Sequence, residues 1–202
     1  MATIAADNFN RSNRSLAGDT MSDGSSTWAD GLNGGCSIDT NVAIGDSGAA
    51  TADAYCDSMS NIADLTVTAK VASGDNVGVI ARRTGNGEKY YAKMKTGDAK
   101  LMVWKTSGGS SSQLGADGSV VSVGDTIGIR CEGTTISGLI NGVVDFSRTD
   151  SDHSTGQAGI HIRAQDGTLD DWIAETISAA DAGGQGVAAQ WGARWGFSRG
   201  GF

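Results

Sequence analysis

The residues able to do acid–base or nucleophilic chemistry are few and scattered. The chain has three glutamates, Glu88, Glu132 and Glu175, on three separate segments. Two carboxylates that flank a glycosidic bond must project from one face, which on a strand means positions two or four apart. No glutamate here has a carboxylate at both distances. Asp171 precedes Glu175 by four, but Ile173 stands between them. His153 sits among Thr149-Asp-Ser-Asp-His-Ser-Thr155, beside acids and hydroxyls. No Gly-x-Ser-x-Gly elbow supports a triad there, so it is expected to be a solvated loop histidine. His161, between Ile160 and Ile162, is expected to leave its strand on the side away from the core. Asp150, Asp152 and the pair Asp170-Asp171 are candidates for a structural Ca2+, although the EF-hand pattern is absent.

The aromatic side chains are the second candidate set. Tyr90, Tyr91 and Trp104 could form a platform for a glycan ring, and half-buried sheet positions explain them equally well. The last residues, 181–202, hold two of the five tryptophans and two of the four phenylalanines. Trp191-Gly-Ala-Arg194 is loosely repeated as Trp195-Gly-Phe-Ser-Arg199. Trp and Arg dominate binding hot spots. Trp191, Arg194, Trp195, Phe197, Arg199 and Phe202 are therefore expected to contact a partner protein, the alternative being an arm folded back on its own domain.

The elements that must carry these residues read as strands. Leu65, Val67, Ala69 and Val71 alternate with Asp64, Thr66, Thr68 and Lys70, and Ile127, Ile129 and Cys131 alternate with Gly128 and Arg130. Ile38, Thr40, Val42 and Ile44 alternate less cleanly. Val77 to Ala81 is a continuous apolar run, expected of a central strand covered on both faces. Further strands are predicted near 4–9, 50–57, 89–96, 99–106, 134–140, 143–148, 157–164 and 170–178. Thr84 to Glu88 joins two strands, Asn141-Gly142 is a type I′ hairpin signal, and Ser107 to Gln113 reads as a solvated loop. No segment carries a 3.6-residue apolar stripe. Leu65, Val67, Val79, Ile127, Ile129, Ile160 and Ile162 are the predicted core.

Composition narrows the class. The 202 residues suffice for one sandwich with a full core. Proline is absent and glycine numbers 31, so Gly, Asn, Asp and Ser must make the turns. A net charge of −8 disfavours nucleic acid, which wants a basic stripe, and no apolar run is long enough to span a membrane. The N-terminus lacks the basic and apolar regions of a secretory signal. Cys36, Cys56 and Cys131 cannot all pair within one chain and lack Cys-x-x-Cys spacing. They are expected to be buried free thiols, with Cys36–Cys56, on neighbouring predicted strands, the pair most apt to bridge. No metal or other cofactor is assigned. Residues 1–180 carry 13 basic and 22 acidic residues, and 181–202 carry Arg194 and Arg199 against Asp181. The expected division is a β-sandwich domain at 1–180 and a Gly-rich aromatic arm at 181–202.

The opening Asp7-Asn-Phe-Asn-Arg11, Trp28, Ala63-Asp-Leu-Thr-Val67, Gly78-Val-Ile-Ala-Arg82, Tyr90-Tyr91, Asn141-Gly142 before Asp145, Gly159-Ile160 and Asp170-Asp171-Trp172 follow one another as in concanavalin A-like (laminin-G/glucanase) domains. The chain resembles that family over roughly residues 4–178. The resemblance implies an all-β fold, an antiparallel two-sheet jelly-roll sandwich. Glucanases of the family carry a Glu-x-Asp-x-Glu strand, which this sequence lacks, so no catalytic residue is carried over and the chain is expected not to be an enzyme. An acidic, proline-free sandwich with a sticky arm also resembles tailed-phage virion proteins. That implies a capsid decoration (cement) or head-fibre protein, assembled in the host cytoplasm, with other virion chains as partners and a homo-oligomeric state. The alternative is a carbohydrate-binding module or tail adhesin recognising host glycans. A third reading, a polysaccharide hydrolase, would have to rest on an Asp pair.

Overall fold

The computed structural model describes residues 1–31, 34–46, 51–85, 87–163 and 165–177. The arm residues Trp191, Arg194, Trp195, Phe197, Arg199 and Phe202 lie outside the described residues. The strands run, in chain order, β1 Ala2–Asp7, β2 Arg14–Ser15, β3 Trp28–Asp30, β4 Cys36–Asp39, β5 Val42–Gly45, β6 Ala52–Cys56, β7 Leu65–Gly74, β8 Val77–Arg83, β9 Lys89–Met94, β10 Leu101–Ser107, β11 Ser110–Gln113, β12 Thr126–Glu132, β13 Thr135–Ile140, β14 Val143–Thr149, β15 Gln157–Ile162 and β16 Gly167–Thr176. Among the described residues there is no helix. One sheet has the order β14-β13-β12-β7-β16-β5-β4-β2, with β1 also paired to β16, and the other the order β11-β10-β9-β8-β15-β6-β3. Every ladder between these strands is antiparallel. The chain is a two-sheet jelly-roll sandwich, and β15 lies between β6 and β8, strands about a hundred residues earlier in the chain.

Alternation places the core. Leu65, Val67, Val79, Ile127, Ile129, Ile160 and Ile162 are all buried, as period two requires when one face of each strand meets the opposite sheet. Two tryptophans tie the sheets together. Trp28 of β3 packs on Trp172 of β16 with ring centroids 4.9 Å apart. Each buried indole N–H finds its acceptor on the opposite sheet: Trp28 donates to Asp7 Oδ2 at 2.6 Å and Trp172 to the Gly159 carbonyl at 3.1 Å. Arg11 holds both oxygens of Asp7, at 2.6 and 2.9 Å. The opening Asp-x-Phe-x-Arg motif therefore closes a corner of the core, with Phe9 packed on Trp28 at 5.9 Å.

Several local expectations are corrected. Residues 36–45 are two strands, because Thr40 and Asn41 both adopt positive φ (51° and 65°) and turn the chain as Asn141-Gly142 does (51° and 77°). Ser107 to Gln113 is a hairpin turned by Gly108-Gly109, not an unstructured loop. Cys36 and Cys56 lie on opposite sheets rather than neighbouring strands. All three cysteines are buried and unbridged, and burial pushes the Cys131 thiol up to about 12.

Candidate functional site

Four strands of the seven-stranded sheet send chemically capable side chains to its outer face. On β9, Tyr90, Ala92 and Met94 enter the core, so Lys89, Tyr91 and Lys93 leave on the other side. On β10, Leu101 and Val103 enter the core and Met102 and Trp104 face out. On β15 the outward residue is His161, and on β6 they are Asp53 and Tyr55. Register then aligns them in two rows. Tyr55, Gly159, Ile80, Tyr91 and Trp104 are successive neighbours across the sheet, and so are Asp53, His161, Gly78, Lys93 and Met102.

The glycines in these rows are required. A Cβ at Gly78 would come within 2.4 Å of the Ala92 carbonyl oxygen, and one at Gly159 within 2.2 Å of that of Ala54. Their bare backbone leaves room for the larger side chains to lean together. Tyr91 stacks on Trp104 (centroids 6.3 Å apart, planes at 23°) and touches His161 with its other side at 4.7 Å. The Lys93 ammonium lies 5.4 Å over the Trp104 ring. Arg83 lies 3.6 Å over the Tyr55 ring and donates to Gln157 Oε1 at 3.0 Å. A β-bulge at Arg82, with φ of 50°, shifts the alternation after the core residue Ala81, so that Arg83 reaches the outward Tyr55 ring.

At the centre is a buried ionic cluster. Asp53 is 3 % exposed, and His161 and Lys89 are each 5 % exposed. His161 Nδ1 pairs with Asp53 Oδ1 at 2.7 Å, and the Lys89 ammonium donates to Oδ2. Burial works against the Asp53 carboxylate, but the bond from His161 and the charge of Lys89 outweigh it and hold its pKa well below the ordinary value. Burial also lowers the His161 pKa, only partly offset by Asp53. The imidazole is therefore neutral at neutral pH, with Lys89 supplying the counter-charge. A carboxylate can only accept, so Nδ1 carries the proton and Nε2 is left as a lone-pair acceptor with no hydrogen bond to another described residue. The Trp104 indole N–H is buried with no acceptor. The face thus combines a stacked aromatic pair with an oriented acceptor.

The structure separates the candidate aromatics. Tyr91 and Trp104 share the outer face, while Tyr90 is buried in the core. Its hydroxyl donates to Asp150 Oδ1 at 2.5 Å. Adjacent residues of one strand point to opposite faces, a rule that could have parted Tyr90 from Tyr91 in the sequence and grouped Lys89 and Lys93 with Tyr91. Sequence reasoning missed Asp53, Lys89, Lys93, Tyr55 and Arg83 as members of the site. It placed His161 on the correct side without its partner.

The remaining candidates are engaged elsewhere. His153 is buried rather than solvated, packed on Tyr90 at 4.9 Å with Nε2 2.7 Å from the Thr106 carbonyl. Asp150 and Asp152 are both bonded by Lys105, at 2.6 and 2.8 Å, so an ammonium occupies the position a metal ion would need. Asp170 accepts from the Asp171 backbone at 2.8 Å. Among the described residues no three His, Cys, Asp or Glu side chains cluster as a metal would require. Glu88 accepts the Gly108 and Gly109 amides, and Glu132 pairs with Arg130 at 2.8 Å.

No family model and no curated protein sequence matches the chain. Solved structures do. A carbohydrate-binding module from Bacillus subtilis superposes with a TM-score of 0.56 at 18 % identity, covering 81 % of this chain and 95 % of that one. A Bacillus licheniformis β-glucanase gives 0.52 at 12 % identity, covering 88 % and 99 %. The lumenal domain of VIP36, in a form bound to Ca2+ and Man3GlcNAc, gives 0.52 at 11 % identity, covering 75 % and 86 %. At these identities the likeness establishes the concanavalin A-like sandwich, and the fold by itself does not assign an activity.

Proposed function

We propose that this protein is a non-catalytic glycan-binding module whose sugar docks on the outer face of the seven-stranded sheet beside Trp104. The observation that carries this reading is the Tyr91–Trp104 stack set beside the Asp53–His161 pair. A sugar ring offers one face of C–H groups and a rim of hydroxyls. An aromatic pair suits the first, and fixed donors and acceptors suit the second. His161 Nε2 would accept a hydroxyl proton. A carbohydrate-binding module, a sugar-bound lumenal domain and a glucanase among the similar structures support the same reading. The virion reading draws on composition and on residues 181–202, which lie outside the described residues, whereas the glycan reading draws on side chains with described positions.

Binding without catalysis is supported by the state of the carboxylates. Asp53 is bonded through both oxygens and held ionised, so it has no proton to give as an acid. Glu88 and Glu132 are tied to backbone amides and to Arg130. A glycan array followed by calorimetry on the hits tests the proposal. Trp104→Ala should weaken binding by about tenfold or more, the scale of a tryptophan hot spot, with little change in the urea midpoint. An array without hits, or an unchanged affinity in Trp104→Ala, would overturn it.

A further inference from the structure

Most cations of the described residues are engaged where they stand. Arg11 and Arg14 pair with Asp7 and Asp19, Arg82 with Asp64, Lys95 with Asp98 and Asp117, Lys105 with Asp150 and Asp152, and Arg130 with Glu132. Lys70 lies opposite Asp170 in the ladder, Lys100 acts on Asp117, and Arg148 donates to three backbone carbonyls. On the aromatic face, Lys89 is taken by Asp53 and Arg83 by Tyr55 and Gln157. Lys93 and Arg163 differ. Neither has a carboxylate partner among the described residues, and neither side chain makes a hydrogen bond to one of them.

The fold sets these two cations near each other. Lys93 and His161 both lie opposite Gly78, from the strands on its two sides. Arg163 follows His161 by two positions, just past the end of β15, with its amide bonded to the Asn76 carbonyl at 3.0 Å and its charge close enough to act on Lys93. No side chain stands at Gly78 to separate them. Burial and the charge of Arg163 together hold the Lys93 ammonium below its ordinary pKa. The carboxylates at that end of the sheet are turned to other work: Asp166 accepts from Asn76 at 3.1 Å and Asp75 from the Gly97 amide at 3.2 Å. Lys93 and Arg163 therefore remain open to an anion, at a point where Lys93 already lies over the ring proposed to stack the sugar.

We infer that the glycan is acidic: a saccharide bearing a carboxylate, whose ring stacks on Trp104 and whose carboxylate bridges Lys93 and Arg163. This rests on the glycan-binding reading of the same face and adds to it the chemical class of the ligand. Two like charges that repel in the free protein are both satisfied by one anion, and charge-assisted bonds to a carboxylate are the stronger kind.

Calorimetry with matched ligand pairs tests this. A panel of oligouronates and sialylated oligosaccharides is titrated beside the methyl esters of the same compounds, with poly-glutamate as an anion that lacks sugar rings. The acid form of at least one ligand should bind about tenfold tighter than its ester, the scale of one charge-assisted contact. Lys93→Gln and Arg163→Gln should each bring that ratio close to one, with urea midpoints near wild type. Esters bound as tightly as acids, a ratio untouched by both substitutions, or poly-glutamate bound as tightly as the saccharides would each overturn the acidic-glycan assignment while leaving a glycan site standing. Failure of acids, esters and the neutral oligosaccharides of the array alike would instead overturn the glycan reading itself, and this inference with it.

Discussion

The outer faces of the two sheets obey the same alternation and are furnished differently. On the nine-stranded sheet the outward positions of β7 and β12 include Thr66, Thr68, Lys70, Thr126, Arg130 and Glu132, and Ser137 follows on β13. Their bonds are short-range, Arg130 to Glu132 at 2.8 Å and Ser137 to Ser147 at 2.8 Å, although Thr66, Arg130 and Ser137 are buried and the Thr66 hydroxyl has no partner among the described residues. On the seven-stranded sheet the outward positions hold Asp53, Tyr55, Lys89, Tyr91, Lys93, Trp104 and His161, joined diagonally across several strands. A sheet face needs only solvated side chains to be soluble, and threonines do that at little cost. Burying an ion pair and a histidine on a face is expensive by comparison, and adds little stability over an apolar replacement. The asymmetry is one of linkage, local pairs on one face and an ionic and aromatic network across four strands on the other, and the proposed glycan site draws on that network.

The largest expected effect that separates the faces is on stability. Asp53→Ala leaves Lys89 buried without its counter-charge and should cost about 3–5 kcal/mol. Glu132→Ala, on the other face, breaks a partly exposed pair and should cost no more than about 1 kcal/mol. Urea unfolding of the two variants measures both. Equal costs would mean that the ionic cluster is an ordinary surface feature and that the contrast between faces is illusory.

Binding comes next in size. Trp104→Ala should lose at least about 1.4 kcal/mol of glycan affinity, a factor of ten, while Thr68→Ala on the opposite sheet should leave it within about 0.5 kcal/mol of wild type. Calorimetry on the same ligand reads both, and a loss in Thr68→Ala comparable to that in Trp104→Ala would move the site to the nine-stranded sheet.

The pH dependence of stability sharpens the comparison further. The folded-state pKa of His161 is lowered from its ordinary 6.5 and that of Asp53 from its ordinary 3.8. A depressed folded pKa means that the unfolded chain binds the proton first, so stability falls as the medium becomes more acidic. The His161 contribution is complete above pH 6.5 and should decline as pH falls below it, and a second decline belonging to Asp53 should begin below pH 3.8. His161→Gln should abolish the first decline and keep the second. A wild-type stability that rises on going from pH 7 to pH 5 would show that the imidazole is charged in the folded protein.

The smallest effect is a control on the other sheet. Gly142, at φ +77°, has open space around its Cα, so Gly142→Ala should cost only the backbone strain of a left-handed residue, about 1 kcal/mol. Thermal unfolding should register that cost and calorimetry should find glycan binding unchanged. A change in binding would mean that the two sheets are coupled.

Much of the fold was legible locally. The alternation in Leu65–Val71 and Ile127–Cys131 named core residues that are buried, and Asn141-Gly142 forms the turn its types demand. Thr40-Asn41 makes the same positive-φ turn without a glycine. That choice followed from the pairing of β4 with β5 rather than from propensity, so it was hidden in the sequence. Ser107 to Gln113 was misread for the opposite reason: its hydroxyls suggested a loop, while Gly108-Gly109 supplied the two positive φ values that a hairpin needs.

Over unbroken runs the amino-acid sequence by itself determined which side of its strand a residue occupies, because that depends on a period of two, and the count slips only at bulges such as those at Arg82 and Asp171. It set Tyr91 against Tyr90, Trp104 with Met102, and His161 away from Ile160. Only the tertiary structure decided which of these side chains meet. Asp53 finds His161 because β15 inserts beside β6, and both lean toward Lys89 across Gly78 and Gly159. The register of strands separated by about a hundred residues is set by how the whole core closes, and no local spacing encodes it.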